Sequence, residues 1–246
     1  MVKLPGNPSK KRVSLLAAAG GFTVILVAVL LAYFVLFPTS SPKPFKLVTS
    51  ATASTASTSS ASPSTASTGG HWRITAGSEA GYRVREKLGF LPAQSDAVGR
   101  TSSVTGAASL TESHGTITIT AASVDVAVDT LKSDRSMRDE KIHEIGLESD
   151  RYPTATFVLS TPVTLTRSAL TGRVTRVLVS GTFDIHGTSK RETLPVEFSL
   201  VGSTLEAAGS LTFPWDEFGM TAPSIGGFVN VTEKATMEFD LRLQRA

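Results

Sequence analysis

The 246-residue chain contains no cysteine. That absence excludes a thiol nucleophile, a disulfide framework, a zinc–cysteine centre and a lipid carried on cysteine. Histidine is scarce, with 4 scattered residues. They form no H-E-x-x-H pair, and no calcium loop, glycine-rich phosphate cradle or G-x-S-x-G nucleophile turn is present. The reading therefore expects no metal and no cofactor. Acidic residues are missing altogether before residue 71, where six of the 24 lysines and arginines lie, so the remainder holds 18 basic against 21 acidic residues, a formal −3. The pI of 9.3 thus reflects the N-terminal stretch. A mildly acidic C-terminal region argues against nucleic acid as a partner.

Charge of either sign is absent from residues 13–37, VSLLAAAGGFTVILVAVLLAYFVLF. Twenty-five helical residues at about 1.5 Å each span roughly 37 Å, enough to cross a ~30 Å hydrocarbon core. Lys3, Lys10, Lys11 and Arg12 precede the run, and the next charge is Lys43. The positive-inside rule places residues 1–12 in the cytoplasm and everything beyond Phe37 outside, in a single-pass cell-membrane topology. The run is longer than the ~7–15 apolar residues of a cleaved signal peptide and lacks a small-x-small cleavage site, so it reads as a retained anchor. Residues 38–70 are almost wholly Ser, Thr, Ala and Pro. Such a composition buries too little apolar surface to offset its ordering entropy and reads as a flexible, O-glycosylatable tether.

From His71 to the C-terminus the dominant period is two. Val177, Val179, Phe183 and Ile185 alternate with polar neighbours, as do Leu194, Val196, Phe198 and Leu200, and Phe239, Leu241 and Leu243. This is the pattern of antiparallel strands with one wet face, broken by short turns as in a sandwich or barrel. One region differs. RSMRDEKIHEIGL, residues 135–147, is poor in β-branched residues and carries a weak helical stripe at Met137, Ile142 and Ile145. The domain 71–246 is thus expected to be all-β with one short helical insertion. Alternation alone leaves open whether its interior is packed or hollow.

The run DTLKSDRSMRDEKI gathers eight charges between Asp129 and Lys141. On a helix, Asp134 would pair with Arg138 and Arg135 with Asp139, as solvated surface pairs. The alternative puts Arg138 at a barrel mouth, gripping a ligand headgroup. His186, in the turn DIHGTSK, ends a strand where functional side chains often gather.

Three stretches carry a resemblance: SVDVAVDTLKSDRSMRDEKI, RYPTATFVLSTPV and VSGTFDIHGTSKRETLPVEF. With WDEFGMTAPSIGGFVNVTEKATMEFDLRL they resemble, in order and spacing, the YceI-like family of bacterial secreted proteins. The matching residues include Arg138-Asp139, Tyr152-Pro153, Gly181 and Gly187-Thr188, and the likeness runs from Trp72 to Leu243. It implies an extended, lipocalin-like antiparallel β-barrel whose long apolar cavity holds a polyisoprenoid chain. By alternation Phe157, Phe183, Ile185, Phe213, Trp215 and Phe239 face inward, and Arg138 and His186 complete the candidate ligand-binding set. Two departures stand out, the N-terminal apolar run with its tether and the segment GYRVREKLGFLPAQSDAVGRTSSVTG in place of a phenylalanine-rich opening hairpin. The reading is a membrane-tethered, extracytoplasmic binding protein for an isoprenoid or similar lipid-like molecule, without covalent chemistry, with a homodimer as a candidate assembly. The alternatives are a lipid-acting enzyme using His186, Asp184 and Arg138, and a packed module for protein interaction.

Overall fold

Alternating side chains give each strand one apolar face, and the sheet buries those faces by curling on itself. The computed structural model describes residues 41–47, 67–88, 94–225 and 229–246. The expected anchor 13–37, most of the expected tether and the Gly226-Gly227 pair lie outside the described residues. Among those described, no helix is long and apolar enough to cross a membrane.

The strands are β1 (Gly70–Ile74), β2 (Glu79–Leu88), β3 (Gln94–Thr101), β4 (Val104–Ser113), β5 (Thr116–Ala127) and β6 (Thr154–Leu159). They continue as β7 (Val163–Thr166), β8 (Thr175–Ile185), β9 (Thr188–Val201), β10 (Thr204–Pro214), β11 (Ser224–Ile225) and β12 (Val229–Arg245). Short bends join β1 to β2 and β3 to β4, so each pair acts as one long bent strand. Neighbours run β1-β4-β5-β6-β8-β9-β10-β12, and β12 returns to β1, which closes an eight-stranded antiparallel barrel. The long strand β12 makes that closure. It pairs with β10 from Gln244↔Thr204 to Lys234↔Pro214, and on its other edge with β2 and then β1. A bulge between Val231 and Ala235 interrupts its pairing with β2 and bends the strand there.

Helix α1 (Ser136–Lys141) and the π-turn Ile142–Gly146 that follows it form the helical insertion between β5 and β6. The insertion ends at Gly146, and its last turn is wound wider than α. An added Cβ on Gly146 would come within 2.8 Å of Ile142 Cδ1 and 3.6 Å of Trp215. By the strand directions, α1, the β8–β9 turn and the 3-10 turn Trp215–Phe218 share one end of the barrel. The opposite end is packed solid around Trp72, Leu110, Ile117, Leu165 and Leu170, all 3% exposed or less.

Part of the expected tether is not free chain. Residues 42–47 lie across the outer wall: the Pro42 carbonyl accepts from Arg83 Nη2 and the Lys43 carbonyl from Arg100 Nη2, both at 2.7 Å. The Phe45 ring sits 3.8 Å beneath the Arg100 guanidinium, and Leu47 N–H donates to Glu197 Oε2 at 3.1 Å. Composition could not show this, because the partners of the backbone come from β2, β3 and β9. Thr68 is likewise ordered, donating its N–H to Glu112 and accepting from Trp72 Nε1.

Under this strap the Glu238 carboxylate, 1% exposed, holds both Arg83 at 3.3 Å and Arg100 at 2.9 Å. Breaking a buried pair leaves charge without compensation. Glu238→Gln is therefore expected to lower the unfolding free energy by about 3 kcal/mol in a urea titration, whereas Glu233→Gln, in the same strand, should change little.

Candidate functional site

Inward-facing residues of the closed sheet surround a cavity of about 200 Å³. Phe157, Phe183, Ile185, Phe213, Trp215 and Phe239 all line it, as do Leu131, Ile142, Leu147 and Met220 from the connections at the α1 end. Its wall is almost entirely apolar. Phe157, Phe239, Met237, Val124, Val126 and Leu159 point inward yet stay only partly buried. Core side chains normally interdigitate at crystal-like density; here they face space instead.

Large rings should fill a barrel of this girth. Glycines explain why they do not. Phe157 lies over Gly181, where an added Cβ would fall 1.9 Å from its ring, and Phe239 lies over its cross-strand partner Gly209, where the same atom would fall 2.7 Å away. Tyr82 lies over its own partner Gly99 at 2.3 Å. Each ring is laid along the wall on a neighbouring strand that has no side chain to lift it, which leaves the axis open. Phe157 also contacts Phe183, centroids 4.8 Å apart, in a favourable tilted geometry. The sequence signal for this is a glycine opposite, or diagonal to, an inward aromatic, visible only once the register is known. Trp215 is fixed by its indole N–H, which donates to the Thr232 carbonyl at 2.9 Å.

Arg138 and His186 are placed differently. Neither lines the main cavity. The Arg138 guanidinium is 9% exposed and grips Glu86 with two bonds of 2.9 Å, Nε to Oε1 and Nη2 to Oε2. Its Nη1 donates to Asp134 one turn back. Burial works against the Arg138 charge, but Glu86 and then Asp134 outweigh it and hold its pKa above the ordinary value. The expected Asp134–Arg138 pair is thus present, yet as part of a buried clamp rather than a solvated one. The expected Arg135–Asp139 pair is not formed. Asp139 accepts from Ser133 N–H, and Arg135 approaches Asp134 at 3.8 Å. Glu86, which fixes α1 onto β2, lies some 50 positions away in sequence and carried no signal of its own.

His186 adopts φ +55° in the β8–β9 turn. Its ring packs against Tyr152 in a tilted geometry, centroids 4.4 Å apart, and its Nε2 lies 3.3 Å from Glu148 Oε1. Asp184 accepts from Ser189 Oγ at 2.6 Å. The three residues of the catalytic alternative thus go to three separate sets of partners. His143 bridges Ser149 Oγ at 2.8 Å and the Leu131 carbonyl at 3.0 Å, which pins the insertion. Among the described residues no three metal-ligating side chains gather.

Tyr82 was not singled out in the sequence. It lines both the main cavity and a small adjoining one bounded by Glu86, Arg138 and Lys141. Burial first, then Asp139, pushes its hydroxyl above the usual phenol range, with Arg138 opposing.

Removing Arg138 strands Glu86 in a buried site. Arg138→Ala is expected to destabilise by about 3–5 kcal/mol, and Arg138→Met combined with Glu86→Leu to recover most of that loss, as measured by chemical denaturation.

A profile of the YceI-like domain matches residues 72–243. A polyisoprenoid-binding domain from Saccharophagus degradans, implicated in plant cell wall breakdown, superposes with a TM-score of 0.53 at 14% identity, over 71% of this chain and 98% of that one. BcnA from Burkholderia cenocepacia gives 0.46 at 16% identity over 66% and 95% of the two chains. A YceI protein of Campylobacter jejuni gives 0.42 at 14% over 52% and 74%. No curated protein sequence matches. Given the match over most of its length, the chain belongs to the YceI-like family.

Proposed function

We propose that this protein binds an isoprenoid or similar lipid-like molecule inside the barrel and presents it at the extracytoplasmic face of a membrane, to which residues 13–37 anchor it. One observation carries the reading: inward apolar side chains that border open space. Exposed apolar surface is unfavourable at about 25 cal/mol per Å², so a cavity lined by it gains free energy when an apolar chain enters. The S. degradans domain of the same fold is described as polyisoprenoid-binding, which supports the same ligand class here. At about 200 Å³ the cavity exceeds a ~150 Å³ apolar cavity that accepts benzene. It falls short of the ~300–1,000 Å³ typical of drug-sized ligands. That suits a slender, flexible chain better than a bulky fused ring system. Anchoring would raise the effective concentration of the barrel beside its lipid source.

The acid–base alternative draws no support from the geometry, since Arg138 and Asp184 are bonded to other groups and His186 lies against Tyr152 and Glu148. Mass spectrometry of organic extracts from the purified full chain tests the proposal. A prenyl or comparable lipid chain is expected in the wild type and is expected to be lost in Ala155→Trp, which fills the cavity from β6. Equal lipid content in both proteins would sink the proposal.

A further inference from the structure

The lumen stops abruptly on the side away from α1. On β5 Ile119 borders the open space, whereas the next inward residue, Ile117, is packed solid. On β7 the change falls between Val163 and Leu165, and on β9 between Phe198 and Leu200. Register sets Ile119 opposite Val163 and Ile117 opposite Leu165, so lumen and plug meet at one level. The plug is also held by bonds outside its apolar layer. The helical turn Arg167–Leu170 brings in the fully buried Leu170, and Arg167 Nη1 donates to Glu112 Oε1 at 2.6 Å.

Trp72 is the largest side chain of this plug. It stands two residues from Ile74 on β1 and opposite Ala108 on β4, both of which line the lumen, but it does not line the lumen itself. Its indole N–H donates to the Thr68 carbonyl at 2.9 Å, which fixes the ring. The wall beside it is built of small residues: Ala108 pairs with Ala122, and both border open space. Room for a chain end is thus left directly against the plug.

The depth above it is finite. From the Leu205–Leu243 pair to the Phe213–Ala235 pair the lining runs eight residues along both β10 and β12. At roughly 3.4 Å per residue and a strand tilt of about 40°, that is about 20 Å along the axis. With carbon–carbon bonds of about 1.5 Å, an extended isoprene unit takes roughly 5 Å, so at most about four units lie within this depth. At the other end Leu131, Ile142, Trp215 and Met220, each 6% exposed or less, stand over the lumen. A longer chain must displace them or leave its surplus carbons in water, where they add no burial energy.

We infer that Trp72 sets the length of hydrocarbon chain that the lumen accepts, as the rigid stop beneath the ligand's apolar terminus. The lumen then selects isoprenoids of up to about four units over long polyprenyl chains. This assignment rests on the lumen being a lipid site.

The full chain, offered an equimolar mixture of farnesol, geranylgeraniol and solanesol, provides the test; the three share an alcohol head and increase in length in that order. Retained probes are quantified by mass spectrometry, with Ala155→Trp giving the background from detergent and membrane segment. Geranylgeraniol is expected to be retained at least roughly tenfold over solanesol. Trp72→Leu, which lowers the stop, should raise the geranylgeraniol-to-farnesol ratio roughly tenfold, and Ala122→Leu, which fills the space beside the plug, should lower it by a similar factor. Ala122→Leu adds a side chain to open space and removes no packing, so it decides the matter if Trp72→Leu does not fold. Preferential retention of solanesol by the wild type, or a ratio unchanged in Ala122→Leu or in folded Trp72→Leu, would overturn the length assignment while leaving the lipid site standing. Retention of none of the three above the Ala155→Trp background would overturn both.

Discussion

β12 is hydrogen-bonded along both edges for nearly its whole length, and that pairing closes the sheet. Closure removes the exposed edges that an antiparallel sheet of this size would otherwise present. It also converts one face of every strand into the wall of a single enclosed space. The capped end, the clamp and the lumen all depend on that conversion. If β12 paired on one side only, the inward aromatics would face water and the sheet would be open to association.

Within the closed wall, three glycines decide how much of the interior remains. Gly181, Gly209 and Gly99 let Phe157, Phe239 and Tyr82 recline on the strands beside them. Aromatic surface is thereby placed around the axis and not across it. A packed core would gain dispersion energy from the same rings meeting at the centre. The structure forgoes that at the middle and keeps it at the opposite end, around Trp72, Ile117 and Leu170. Stability and an open lumen are thus assigned to different halves of one barrel.

The charged run from Asp129 to Lys141 is part of the same division. Arg138 reaches from α1 to Glu86 on β2 and ties the insertion to the wall. This buried pair fixes the position of the insertion more than it adds to net stability, since desolvation offsets most of its attraction. The strap at residues 42–47 shows a similar economy on the outer face, where Arg83 and Arg100 satisfy both Glu238 and two strap carbonyls.

Local pattern sufficed for the antiparallel all-β class, the inward parity of Phe157, Phe183, Ile185, Phe213, Trp215 and Phe239, and the short helix near residue 140. All three follow from periodicity, a property of neighbours in the chain. The Glu86–Arg138 clamp, the place of Tyr82 against Gly99, the seat of the strap and the hollow axis were not legible in that way. Each depends on which residues on distant strands stand opposite one another, and a shift of one position would turn every side chain to the other face. Alternation determined which residues face in; only the closed register of β12 against β10, β2 and β1 decided what they enclose.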